Sequence, residues 1–88
     1  MKKEVTTKKA GGKLLRVKVD YTGDTINNVV LGGDFFMHPE EKIEELENSL
    51  KNTKVADVKK RVYEVVDGVV LYGVDADTIV ESVLEAAK

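Results

Sequence analysis

The sequence predicts an α+β domain in which helices pack on one face of a small antiparallel sheet. Two observations carry this prediction. Segments that alternate with period two come first and segments with helical spacing follow, the order that places helices on one side of a sheet. Glycine-containing turns separate the first segments by only a few residues, which suits hairpin connections and hence antiparallel pairing. At 88 residues the chain has room for a single domain, residues 1–88, with one modest core and without a deeply enclosed active site.

Residues 3–9 form a short strand in which Val5 and Thr7 alternate with polar neighbours. Its flanking lysines suit a sheet edge, where charge discourages unwanted pairing. Ala10-Gly11-Gly12 is a turn, and Lys13–Tyr21 is the clearest strand. There Leu15, Val17, Val19 and Tyr21 share one face, while Arg16, Lys18 and Asp20 share the other. Thr22-Gly23-Asp24-Thr25 is a second turn, and Ile26–Leu31 returns as the next strand, ending at Gly32-Gly33. The sheet thus has two or three strands.

About three helices follow. Pro39 is placed at the first helical position, where its fixed φ is already helical, with Glu40 and Glu41 at the positive end of the macrodipole. Ile43, Leu46 and Leu50 make the apolar stripe, and Glu44, Glu45, Glu47 and Lys51 face water. Asn52-Thr53 breaks the pattern. Val55, Val58, Val62 and Val65 or Val66 recur at helical spacing over 54–66, although β-branched valine is a poor helix former. Gly68 caps that helix in the left-handed conformation. Val69–Tyr72 is extended, Gly73 turns, and Asp75 caps a last helix whose buried face is Ile79, Val80, Val83, Leu84 and Ala87.

Hydrophobic residues at 42% with charged residues at 34% describe a well-solvated globular chain. No cysteine is present, which excludes disulfides, thiolate metal sites and cysteine nucleophiles. No run approaches the roughly 20 apolar residues of a membrane span, and no secretory leader follows Met1, so the expected location is the cytoplasm. The net charge of −2 conceals an asymmetry: residues 1–18 balance at +6 and residues 19–88 at −8. A basic start on an acidic domain suggests a face that meets an anion or an acidic partner; a solvated strand face is the simpler alternative.

Single residues offer little chemistry. Gly11-Gly12-Lys13 lacks the spacing and the following helix of a phosphate loop, which leaves a hairpin turn or a lysine presented to an anion held mainly by another chain. His38 is the only histidine, so it has no metal-binding partner of its own kind, and Asp34 beside two glycines reads as a turn former. Phe35 and Phe36 point in different directions, one to the core and one to an interface. A basic segment without interleaved rings and a pI near 5.4 argue against nucleic acid. No catalytic constellation assembles, no metal site is expected, and no cofactor is expected to bind this chain alone.

The motifs taken together carry more. Gly11-Gly12-Lys13-Leu14, the alternating strand, Gly33-Asp34-Phe35-Phe36 with Pro39-Glu40-Glu41, the helix Ile43-Glu44-Glu45-Leu46-Glu47, and Tyr72-Gly73-Val74-Asp75-Ala76-Asp77 occur in that order. Over about residues 9–88 this set resembles the C-terminal accessory domain of lipoate–protein ligases, and more closely the free-standing small subunit of archaeal bipartite ligases. The Gly-Asp-Phe-Phe element with Pro-Glu-Glu is fairly specific, the last motif is weak, and Ala10 stands where the pattern has proline. The resemblance implies a fold similar to the sulfur-acceptor and iron–sulfur scaffold proteins, whose chemistry a chain without cysteine does not share. It implies a heterodimer with a catalytic subunit that binds ATP, magnesium and lipoate, forms lipoyl-adenylate and passes the lipoyl group to a lysine of acceptor proteins. The small subunit is needed for activation and much less for transfer. Gly11, Gly12, Lys13, Asp34, Phe35 and Phe36 are then the expected interface, with Lys13 and the basic strand pair turned to the nucleotide. The competing reading is a stand-alone protein-binding or scaffold module with the same fold.

Overall fold

The computed structural model describes residues 1–8 and 11–88. Six strands and three α-helices follow in the order β1 (Lys2–Thr7), β2 (Leu15–Thr22), β3 (Thr25–Gly33), β4 (Phe36–His38), α1 (Glu41–Ser49), β5 (Thr53–Lys54), α2 (Val58–Val66), β6 (Val70–Tyr72) and α3 (Ala76–Ala86). The main sheet is antiparallel with strand order β1-β2-β3-β5, and β4 and β6 form a separate two-stranded ribbon. The expected continuation of the first strand to Lys9, and the Ala10 position of the first turn, lie outside the described residues.

Alternation builds the sheet as expected. Leu15, Val17, Val19 and Tyr21 of β2 are buried, while Arg16 and Lys18 are exposed. In β3 the buried residues are Ile26, Val29 and Leu31, and the first interval is three instead of two. A register shift reconciles this: Asp20 pairs with Asn28 and Tyr21 with Ile26, so Asn27 is the extra residue of a bulge. Without it, Ile26 would point to water. The α3 helix packs on β1 and β2, α1 packs on β3, and α2 lies against both helices. Leu46, Leu50, Val58, Val62, Ile79 and Val83 close the core beneath the sheet. Each such side chain contributes roughly 1.5–3 kcal/mol by leaving water, which is how α2 tolerates its valines.

Four details depart from the sequence reading. Helix α1 begins at Glu41 with Glu40 at its N-cap, so Pro39 precedes the helix by two positions, although the amides of Lys42 and Ile43 already reach the carbonyls of Pro39 and Glu40. The second helix begins later than expected, because Val55–Asp57 form a 3-10 turn before α2. The sheet gains a fourth, two-residue strand through Thr25–Lys54 and Ile26–Thr53 pairing. Glu47 does not simply face water: its Oε2 accepts the Leu31 N–H at 2.7 Å.

That last contact occupies one amide on the outer edge of β3. Beyond Ile26 this edge has no neighbouring strand, yet it carries no charged residue or proline of its own. Glu47 takes the Leu31 amide, and Val29 beside it is only 1% exposed.

At the other end of β3, Gly33 has φ +127°, and a Cβ built there would lie 2.2 Å from the Leu14 carbonyl oxygen. The next amide, that of Asp34, donates to that same carbonyl at 2.9 Å. Gly68 also has positive φ, +75°, but open space around it. In urea unfolding, Gly33→Ala is therefore expected to cost about 2–3 kcal/mol through strain plus backbone collision, and Gly68→Ala about 1 kcal/mol through strain alone. On the surface, Tyr63 donates its hydroxyl to Asp77, and this bond raises the phenol above its ordinary value of 10.0. Because the neutral phenol is the form favoured, this contact persists below the ordinary pKa and is lost as pH rises through the raised one. Ultraviolet titration is expected to show one tyrosine ionising late, and Asp77→Asn is expected to remove the delay.

Candidate functional site

The residues singled out by sequence converge at one end of the molecule. The turn leading into β2 carries Gly11, Gly12 and Lys13, and these line a shallow depression with Gly73, Val74, Asp75 and Thr78. Two backbone bonds assemble it: Lys13 N–H donates to the Gly73 carbonyl at 2.9 Å, and Asp34 N–H donates to the Leu14 carbonyl at 2.9 Å. Three segments far apart in sequence therefore meet around the dipeptide Lys13-Leu14.

Glycine is required on both sides of that dipeptide. Gly33 admits the Leu14 carbonyl, as above. Gly73, with φ +85°, admits the stem of Lys13, whose Cγ and Cβ lie 2.4 and 2.6 Å from where a side-chain carbon would sit. The root of Lys13 is thus fixed while the residue as a whole remains exposed, with its ammonium at the end of a flexible tether. Asp75 caps α3, its Oδ1 accepting the Thr78 N–H and hydroxyl at 2.7 Å each, which fixes the turn that presents Gly73.

The Gly-Asp-Phe-Phe element divides its two rings. Phe35 is 6% exposed and belongs to the core, so it supports the surface from beneath and does not form it. Phe36 is 61% exposed on β4, opposite Tyr72 of β6, itself 59% exposed. Asp34 is exposed and contributes its backbone to the junction. His38 is exposed on β4, opposite Val70. Among the described residues no group of three or more His, Cys, Asp and Glu side chains clusters as a metal site would. No helix among them is long and apolar enough to cross a membrane.

The basic N-terminal segment is partly paired. Arg16 pairs with Glu4 at 3.2 Å, and Lys3 extends to the Lys88 carbonyl at 3.1 Å. The Met1 amino group lies 3.5 Å from Asp20. The register places Lys2, Arg16 and Lys18 on the exposed face of the β1–β2 pair, with Arg16 met by Glu4, and Lys13 stands at the convergent end.

Tyr72 and Val70 are the surface residues that sequence reading missed. Val69–Tyr72 is legible as an extended segment, but nothing in it signals that its partner is Phe36–His38, over thirty residues earlier.

No protein-family model matches this chain. It is 34% identical over 77 residues to lipoate-protein ligase A subunit 2 of Thermoplasma acidophilum, an alignment covering 84% of this chain and 80% of that protein. Its fold matches a chain from the solved archaeal lipoylation system of the same organism, described as a bi-partite lipoate protein ligase and its E2 lipoyl domain. There the TM-score is 0.81 at 28% identity, over 94% of this chain and 97% of that one. With the motif residues gathered at one end, and with a match of this extent, the chain belongs to the family of lipoate–protein ligase A subunit 2.

Proposed function

We propose that this chain is the accessory subunit of a two-chain lipoate–protein ligase. Docked on a separate catalytic subunit, it supports the ATP-dependent activation of lipoate to lipoyl-adenylate, ahead of lipoyl transfer to a lysine of an acceptor protein. The observation that carries this reading is the convergence of Gly11–Lys13, Gly33–Phe36 and Tyr72–Asp75 at one end, with Lys13 rooted against Gly73. A small body with a shaped end suits a cap on another chain's site.

Adenylation develops negative charge as pyrophosphate departs, and it proceeds best where water is excluded and cations are at hand. In this reading the catalytic subunit holds ATP, magnesium and lipoate. The small subunit closes over them, as lids do, and brings the Lys13 ammonium toward the phosphates. Transfer needs neither contact, because the adenylate already carries the activated acyl group.

Lys13→Ala is expected to slow pyrophosphate release by the assembled ligase roughly tenfold, the loss of about 1.4 kcal/mol of charge stabilisation. Transfer from preformed lipoyl-adenylate is expected to stay within about twofold by the same scale. Equal loss in both half-reactions, or none in either, removes the role assigned to Lys13. Gly73→Ala is expected to slow activation in the same direction by displacing the Lys13 stem, and its urea midpoint separates this effect from unfolding.

A further inference from the structure

Half of the large hydrophobic residues exposed on this protein lie on one small element. Among the described residues these are Met1, Val30, Phe36, Tyr63, Val70 and Tyr72, and three of them belong to the β4–β6 ribbon. The register puts all three on one face: Phe36 lies opposite Tyr72, and His38 opposite Val70, while Met37 between them is buried and anchors the ribbon to the core. The outer face is therefore an aromatic pair continued by a valine and an imidazole, held on a rigid base.

We infer that the outer face of this ribbon, Phe36, Tyr72, Val70 and His38, is the surface by which the subunit docks on the catalytic ligase chain. This rests on the two-chain reading above. Two observations select that occupant over a second copy of this chain. The first is size. With exposures of 61%, 59% and 46%, the two rings and the valine offer roughly 300 Å² on the scale of aromatic side chains. A stable interface takes about 800 Å² from each partner, so ribbon stacked on ribbon falls well short. The second is continuity. Tyr72 leads directly into Gly73, which holds Lys13 through its carbonyl and its missing side chain, so the apolar face and the lysine turn adjoin. A partner that covers both gains the missing area and receives the ammonium at its rim. An apolar centre with a charge at the edge is the ordinary anatomy of such an interface, and exposed aromatic residues are its customary anchors.

Calorimetric titration of the intact catalytic ligase subunit tests this with Phe36→Ser, Tyr72→Ser and, as a control, Val30→Ser. Val30 is 49% exposed on the wet face of the main sheet, paired with Lys18. Circular dichroism and urea midpoints confirm that each variant is folded. Phe36→Ser and Tyr72→Ser are expected each to raise Kd at least about tenfold, and Val30→Ser to leave it within about twofold. In the wild-type complex, amide exchange is expected to slow across residues 36–38 and 70–72. A complex of undiminished affinity with both ribbon variants overturns the inference while leaving the accessory-subunit reading intact. Equal weakening by Val30→Ser overturns it too. So does self-association of the free chain that the ribbon variants abolish, which would assign the face to a second copy. If the wild-type chain forms no complex at all, the accessory-subunit reading falls first and this inference with it.

Discussion

The approach of Leu14 to Gly33 is the constraint on which the rest of this end depends. A carbonyl oxygen occupies the space where any other residue would carry its side chain, and the following amide binds that oxygen. Chain direction after β3 is set there. Phe35 turns inward, Phe36 turns outward, and the chain reaches β6 in the one register that buries Met37. On the other side of the same dipeptide, Gly73 receives the stem of the Lys13 side chain. Two glycines therefore grip a strand entrance from opposite sides. The Gly33 contact is with backbone and survives wide change in the side chains around it, whereas the Gly73 contact depends on Lys13 itself.

The features of this fold that were legible in the sequence are those governed by short-range chemistry. Strict alternation in β2, the Gly23-Asp24 turn, the Asp75 cap and the Gly68 terminus each follow from local preference, and each is found in place. What escaped was nonlocal. Phe36-Met37-His38 is too short to show a period, and it becomes a strand only because Val70–Tyr72 is brought beside it. Glu47 sits at a position that helical spacing assigns to water, and only the height of β3 beside α1 turns it to Leu31. The Asn27 bulge has the same origin, since the pairing partner decides which residue is extra.

Charge shows the same division between sequence and space. A segment of +6 suggests a basic surface, but its strands pair some of those charges with neighbours that a linear count never sees. Arg16 meets Glu4 across the β1–β2 ladder, and exposed pairs of this kind contribute little to stability while removing much of the field. The cation that remains informative is Lys13, because its position is fixed by a glycine and not by its place in a run.

The Glu47 carboxylate on the Leu31 amide has a consequence for how this protein meets others. By occupying a backbone donor on an uncharged strand edge, it takes one of the groups that a foreign strand would need to lengthen the main sheet on that side. Association that extends a sheet draws its affinity from main-chain hydrogen bonds. With that donor taken, this edge offers a foreign strand a poorer template.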